Sequence, residues 1–220
     1  MTSLPKCRAC GHELVHTLVD LGDSPLANSY VPVDQVAQPD KLFPLHARVC
    51  GNCFLVQVDD VVPPSEIFSH YAYFSSYSSS WVDHARKYAE FATRRLELNS
   101  SSLVVEVASN DGYLLQHFVN TNIPVLGIEP AENVAAVARE KGIQTDVAFF
   151  GVETAKSILK KHGHADLTAA NNVLAHVPDI NDFVAGFSVL LKENGVATFE
   201  FPHLLNLLEK NQFDTIYHEH

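Results

Sequence analysis

The stretch Val105-Glu-Val-Ala-Ser-Asn-Asp-Gly-Tyr-Leu-Leu115 reads as a buried strand, a polar turn and the start of a helix. A short apolar run of this kind fits the centre of a parallel sheet, and the turn that follows presents backbone N–H groups to a ligand. The same strand, turn and helix pattern continues on its C-terminal side. Strands are expected at Leu103 to Ala108, Val125 to Glu129, Leu167 to Asn171 and Val196 to Phe201. Helices are expected at Tyr113 to Val119, Glu132 to Lys141 and Phe183 to Leu191. Pro130 suits a first helical position, Gly142 a C-terminal cap, and Gly195 the stop after Leu190-Leu-Lys-Glu-Asn. The alternation predicts an α/β fold, a Rossmann-like sheet with helices on both faces.

On the N-terminal side the pattern changes. Lys6 to about Asp60 is extended and punctuated by Gly22, Pro25, Pro32, Pro39 and Pro44, so no long helix fits there and a small β-rich unit is expected. After Pro63-Pro64 comes the aromatic and serine-rich stretch Tyr71 to Trp81, then apolar residues at helical spacing from Val82 to Leu98. The expected domains are therefore 1–62, a linker and helix over 63–101, and the α/β domain over 102–220.

The 220 residues carry a net charge of −11, which repels a phosphate backbone, so polymeric nucleic acid is a poor partner. No apolar stretch approaches a membrane span, and Met1 to Pro5 has no signal-peptide character; a cytoplasmic protein is expected. In a reducing compartment the four cysteines, paired as Cys7 with Cys10 and Cys50 with Cys53, suit a metal better than disulfides. Two such knuckles supply four thiolates to tetrahedral Zn2+ and leave no open position, which makes the metal structural. Gly11 and Gly51-Asn52 give the turns their chemistry, and His12 and His16 lie near but are not needed as ligands.

The loop after the first strand of the α/β domain lacks the Gly-x-Gly-x-x-Gly of dinucleotide sites. Only Gly112 remains, with Ala108 and Asn110 where close approach or a left-handed residue is wanted, and Asn tolerates that region well. A pyrophosphate needs more open glycine backbone, whereas the sulfonium and amino acid end of S-adenosylmethionine can be held by polar side chains. Glu129, one βα unit further on, is placed to accept both ribose hydroxyls. Asp146 is placed for the adenine amino group or, alternatively, as a helix cap. Asn171 and Asn172 lie at the sheet's ligand-binding edge, followed by His176, which reads either as part of the site or as a loop histidine without chemistry. With Glu106 and Asp111 these residues form the candidate cofactor set.

Cys7-x-x-Cys10 with Cys50-x-x-Cys53, Pro25-Leu-Ala-Asn28, Tyr73-Phe-Ser-Ser-Tyr-Ser78, Glu106 to Gly112, Asn171 to Pro178 and Asp214-Thr-Ile-Tyr-His-Glu-His220 occur in one order. In this the chain resembles the sugar C-methyltransferases that methylate nucleotide-linked keto-deoxysugars in antibiotic pathways, of the mycarose 3-C-methyltransferase type. The resemblance implies a zinc-binding domain, a class I methyltransferase domain and an active-site motif at Tyr217 to His220. It implies His220 as the base for a C3 proton of a 4-keto sugar, with Tyr217 and Glu219 positioning the sugar or polarising its ketone. Tyr71, Tyr73, Tyr77 and His218 are the implied substrate contacts. Family members continue well beyond this motif, so a missing C-terminal domain, an unpaired edge on Val196 to Phe201 and poor activity are expected. Two other readings are a zinc-containing RNA methyltransferase and a noncatalytic module that binds S-adenosylmethionine or zinc.

Overall fold

The computed structural model describes residues 4–27, 30–59, 62–212 and 216. Its contacts divide into two units: Met1–Ile67 with Ala175–Asn181 and Phe201–His220, and Phe68–Leu174 with Asp182–Glu200.

In the first unit β1 (His16–Ser24), β2 (Phe43–Val49) and β3 (Val56–Val58) form an antiparallel sheet in that order, followed by α1 (Pro64–Phe68). Among the described residues its apolar clusters are small. Leu45, Ala47 and Val58 pack with Leu18, Val19 and Ile216, and a separate group joins Cys7, Leu14 and Cys50 to Ala9 and Leu55. Cores of this size rarely hold a small fold without a metal or disulfides.

The second unit begins with α2 (Ser79–Leu96), whose N-terminus is capped by the Ser78 hydroxyl accepting from the Trp81 N–H. Five parallel strands follow: β4 (Val104–Val107), β5 (Val125–Ile128), β6 (Thr145–Asp146), β7 (Ala165–Asn171) and β8 (Leu191–Glu200), in the order β6-β5-β4-β7-β8. The connecting helices are α3 (Leu115–Val119), α4 (Glu132–Glu140), α5 (Val152–His162) and α6 (Ile180–Leu190). A short α7 (Leu204–Glu209) follows in the first unit. Among the described residues β8 is an edge strand. All four residues of β4 are buried, as the central position requires. Leu114, Leu115 and Phe118 are fully buried beside Val104 and Leu167, each contributing about 1.5–3 kcal/mol by leaving water. Helix α2 is pinned along β8 by two polar contacts, Tyr88 hydroxyl to Thr198 hydroxyl at 2.5 Å and His84 Nε2 to Glu200 Oε2 at 2.9 Å. Four helical residues advance about 6 Å and two strand residues about 6.6 Å, so the two contacts match in spacing.

Several expected boundaries shift. Pro130 precedes the N-cap, Ala131, so it lies outside α4. The stretch from Tyr113 is helical only from Leu115. Gly195 does not stop a helix: α6 ends at Leu190, and Gly195 sits in the irregular start of β8, where a Cβ would come within 2.9 Å of the Ala165 carbonyl. Helix α5 was not expected. Asp146 ends β6 and caps no helix; the N-cap of α5 is Gly151.

Gly112 has φ +79°, and a Cβ there would lie 2.2 Å from Ile143 Cδ1. Replacing Gly112 by Ala should cost about 2 kcal/mol, seen as a lower Tm, because an L-residue is strained in the left-handed region. Adding Ile143→Val should recover the steric part and leave the backbone part; full recovery would show that the backbone is unstrained.

Candidate active site and metal centre

The two cysteine knuckles repeat one hydrogen-bond pattern. The Cys7 N–H donates to the His12 carbonyl and the Cys50 N–H to that of Leu55, while Gly11 and Phe54 N–H groups donate back to Cys7 and Cys50. The left-handed residue of each turn is thus Gly11 (φ +73°) and Phe54 (φ +63°); in the second knuckle neither Gly51 nor Asn52 fills that place. Folded this way, the four Sγ atoms all lie within 4.8 Å of one another, with Cys7 to Cys53 at 3.6 Å and Cys10 to Cys50 at 3.5 Å. Thiolates around one tetrahedral zinc stand about 3.8 Å apart, so the cluster fits that ion closely. Donors face the sulfurs: Asn52 and Cys53 N–H at 3.4 and 3.5 Å from Cys50 Sγ, and the Gln57 amide at 3.3 Å from Cys7 Sγ.

The electrostatics call for a cation. Burial opposes ionisation of Cys7, but the Gln57 amide and the N–H groups of Cys10 and Ala9 bring its thiol down to about 6. Cys53 receives the Leu55 N–H, which favours its thiolate, yet burial and the sulfurs of Cys7, Cys10 and Cys50 push it up to about 12. Four thiolates coexist here only with a positive ion among them.

In the second unit the loop leaving β4 is left-handed at Ala108 (φ +57°), Asn110 (φ +49°) and Gly112 (φ +79°). Four of its N–H groups are already used: Ser109 donates to the Ile128 carbonyl, Asn110 to Glu129 Oε2, Asp111 to Asn110 Oδ1 and Gly112 to the Ser109 carbonyl. A pyrophosphate would therefore find few open donors. Glu129 accepts from Ala131 N–H with its other oxygen. Burial raises its carboxyl, against the lowering by these two N–H groups. Each carboxylate oxygen retains a further lone pair for a hydroxyl donor.

Glu106, on β4 beneath the loop, is fully buried, and neither of its oxygens has a hydrogen-bond partner. Burial, joined by the charges of Glu129 and Asp111, pushes it well above the usual carboxylate range, against a lowering by the nearby Tyr113 hydroxyl. An unsatisfied buried carboxyl beside a ligand loop fits a cationic ligand group. Asn171 donates to the Tyr113 hydroxyl at 3.2 Å, and Asn172 N–H to the Glu200 carbonyl at 2.7 Å. Asp146, paired to Ile128 across the sheet, stands beside Glu129.

Glu106, Ala108, Asn110, Asp111, Gly112, Glu129, Asp146, Asn171 and Asn172 thus lie at the carboxyl ends of the strands, in one unit. Tyr71, Tyr73 and Tyr77 belong to the same unit, with Tyr77 94% exposed. His176, in a 3-10 turn at Leu174–His176, falls in the other unit. Tyr217, His218, Glu219, His220 and Asn28 lie outside the described residues. Sequence reasoning missed Tyr113, Gln57, Asn133 and Lys141. Gln57 could have been suspected from its place in the strand just beyond the second knuckle; the others carry no sequence signal of their own.

Residues 7–68 match a family model described as "Putative zinc binding domain", and residues 105–197 one described as "Methyltransferase domain". Strand order, loop and metal knuckles define a class I, S-adenosylmethionine-dependent methyltransferase fold joined to a zinc-binding domain. Within that class its similarity to a C-methyltransferase extends along nearly the whole chain. It is 38% identical over 217 residues to C-methyltransferase NovU of Streptomyces niveus, covering 99% of this chain and 52% of that protein. A Ubiquinone biosynthesis O-methyltransferase of Rhodopseudomonas palustris (strain HaA2) is 26% identical over 163 residues, 63% of this chain and 62% of its own length. The chain thus spans about half the length of NovU. Among the described residues no helix is long and apolar enough to cross a membrane.

Two measurements check this chemistry. Metal analysis should find one zinc per chain, and Cys50→Ser should lose it together with the dispersed amide signals of β1 to β3; undiminished zinc would remove Cys50 from the ligand set. A carboxyl raised by folding opposes stability as pH climbs above its unfolded value of about 4.3. The Tm gained by Glu106→Gln over the unmodified, cofactor-free chain should therefore grow from pH 5 to pH 8; parallel curves would mean that Glu106 titrates normally.

Proposed function

We propose that the chain is an S-adenosylmethionine-dependent C-methyltransferase that methylates C3 of a nucleotide-linked 4-keto-deoxysugar through an enolate. The observation that carries the cofactor half is the unsatisfied, buried Glu106 carboxyl beneath a loop whose N–H groups from Ser109 to Gly112 are spent. The acceptor half is supported by the whole-chain similarity to a C-methyltransferase and by the order of the sequence motifs. We place the zinc-binding domain at 1–62, a connecting segment at 63–101 and the methyltransferase domain from 102 onward. The setting is the cytoplasm, with neither nucleic acid nor membrane as partner.

When bound, S-adenosylmethionine supplies a methyl group made electrophilic by its sulfonium charge. Glu106 receives the ammonium of its amino acid end, Glu129 the ribose hydroxyls and Asp146 the adenine amino group. Ala108 to Gly112 keep the backbone close to the ligand, and Asn171 and Asn172 border it. On the acceptor side Tyr71, Tyr73, Tyr77 and His218 line the sugar. His220 takes the C3 proton, and the electron pair of that C–H bond moves into the C3–C4 bond and onto the ketone oxygen. Tyr217 and Glu219 hold the sugar or stabilise that oxygen. C3 so activated would accept the methyl group that the cofactor, held by Glu106 and Glu129, would supply with its bonding pair left on sulfur. Histidine suits this proton transfer near neutral pH.

Calorimetry with S-adenosylmethionine, then a transfer assay with a dTDP-4-keto-deoxysugar, tests the reading. His220→Asn should slow exchange of the C3 proton into deuterated water by about a hundredfold or more, the range for a general base, with cofactor affinity intact. Unchanged exchange would remove His220 from the role. Cofactor binding with neither exchange nor transfer in the unmodified chain would mark a noncatalytic module.

A further inference from the structure

The segment Tyr71 to Ser76 has little regular structure, a 3-10 turn beginning only at Ser75. Its backbone is nevertheless held along its length by side chains. The Asn133 amide accepts from the Tyr71 N–H at 3.1 Å and donates to the Tyr71 carbonyl at 2.7 Å. Asn110 donates to the Tyr73 carbonyl at 3.1 Å and accepts from the Ser75 N–H at 2.8 Å. Asp111 accepts from the Ser76 N–H at 3.2 Å, and Lys141 bridges the Ser76 hydroxyl to Asp111 Oδ2 at 2.9 and 3.1 Å. These hydrogen-bonding anchors come from the loop after β4 and from α4 and its C-terminal end.

Both anchoring elements meet at one carboxylate. Glu129 holds the Asn110 N–H at 2.9 Å with one oxygen and the Ala131 N–H, at the N-cap of α4, at 2.9 Å with the other. Asn133 lies two residues beyond Ala131. A ligand hydroxyl bound to Glu129 therefore stiffens the two places from which the segment hangs, without having to break either bond.

We infer that Asn133 is a positioning residue that couples cofactor occupancy to the placement of Tyr71, so that the acceptor side of the site is set only once the cofactor side is filled. The inference rests on the proposed function both for the identity of the acceptor and for the cofactor hydroxyl at Glu129. A two-point clamp by one side-chain amide holds the two peptide groups on either side of the Tyr71 Cα, and so fixes where Tyr71 stands. Loss of that clamp leaves Asn110 and Asp111 still holding Ser75 and Ser76, so the effect of removing Asn133 is local.

Amide exchange on the full chain, with S-adenosylhomocysteine as the probe, tests the coupling. In the unmodified chain the probe should slow exchange at Tyr71, Ser75 and Ser76 by about tenfold. In Asn133→Ala the response at Tyr71 should vanish while Ser75 and Ser76 keep theirs, which also shows that the loop remains folded. Probe affinity should stay within about threefold, whereas KM for the dTDP-4-keto-deoxysugar should rise about tenfold with kcat changed far less. Asn133→Gln, which keeps the amide, should restore part of the loss. No response at Tyr71 in the unmodified chain, a retained response in Asn133→Ala, or an affinity loss as large as the KM change would overturn the inference. Failure of the sugar as a substrate would instead count against the proposed reaction, and the exchange result would still decide the coupling.

Discussion

One carboxylate organises the ligand-binding edge of the sheet. Glu129 stands at the end of β5, where parallel strands leave backbone donors pointing outward, and it takes one donor from each side: Asn110 from the loop after β4 and Ala131 from the start of α4. Without it, two N–H groups at a buried site would lack partners, each a loss of about 1–3 kcal/mol. The loop could not then keep its alternation of left-handed residues, and Asn110 could not present its amide to the segment from Tyr73 to Ser75. The atoms proposed to recognise the ligand are those that fold the loop.

The first unit solves a different problem. Among the described residues its apolar groups are too few and too scattered to enforce a fold, and its cysteine sulfurs repel one another once ionised. A metal ion removes both difficulties, because it converts the repulsion into the strongest attraction available to this unit. The repeated hydrogen-bond pattern of the two knuckles is what brings the four sulfurs within reach of a single ion.

Much of this was legible in the sequence where a residue type has one dominant use. The paired cysteines, the buried run from Val104 to Val107 and the acidic end of β5 are of that kind. The signal failed where different structures share one pattern. Leu190-Leu-Lys-Glu-Asn-Gly195 resembles a helix and its stop, yet strand pairing with β7 claims it from Leu191. Helix α5 buries only Ala155 and Ile158 on a lysine-rich frame, so its apolar stripe was too thin to detect. Nothing in an exposed phenylalanine announces the left-handed turn at Phe54, which only the sulfur geometry demands. The clamp by Asn133 was invisible because a side-chain amide on a helix has no fixed partner until tertiary structure supplies one.

The paired contacts between α2 and β8 carry a last consequence. Tyr88 with Thr198 and His84 with Glu200 keep step only because a helix advance of four residues nearly equals a strand advance of two. A single inserted residue between His84 and Tyr88 would turn one of them about 100° away from its partner. Changes of chain length can therefore be absorbed only outside this span, before Ser78 or in the turn at Asn99 to Ser102. Over evolutionary time the helix can trade residues on its outer face, but its length between these two contacts is fixed by the strand beneath it.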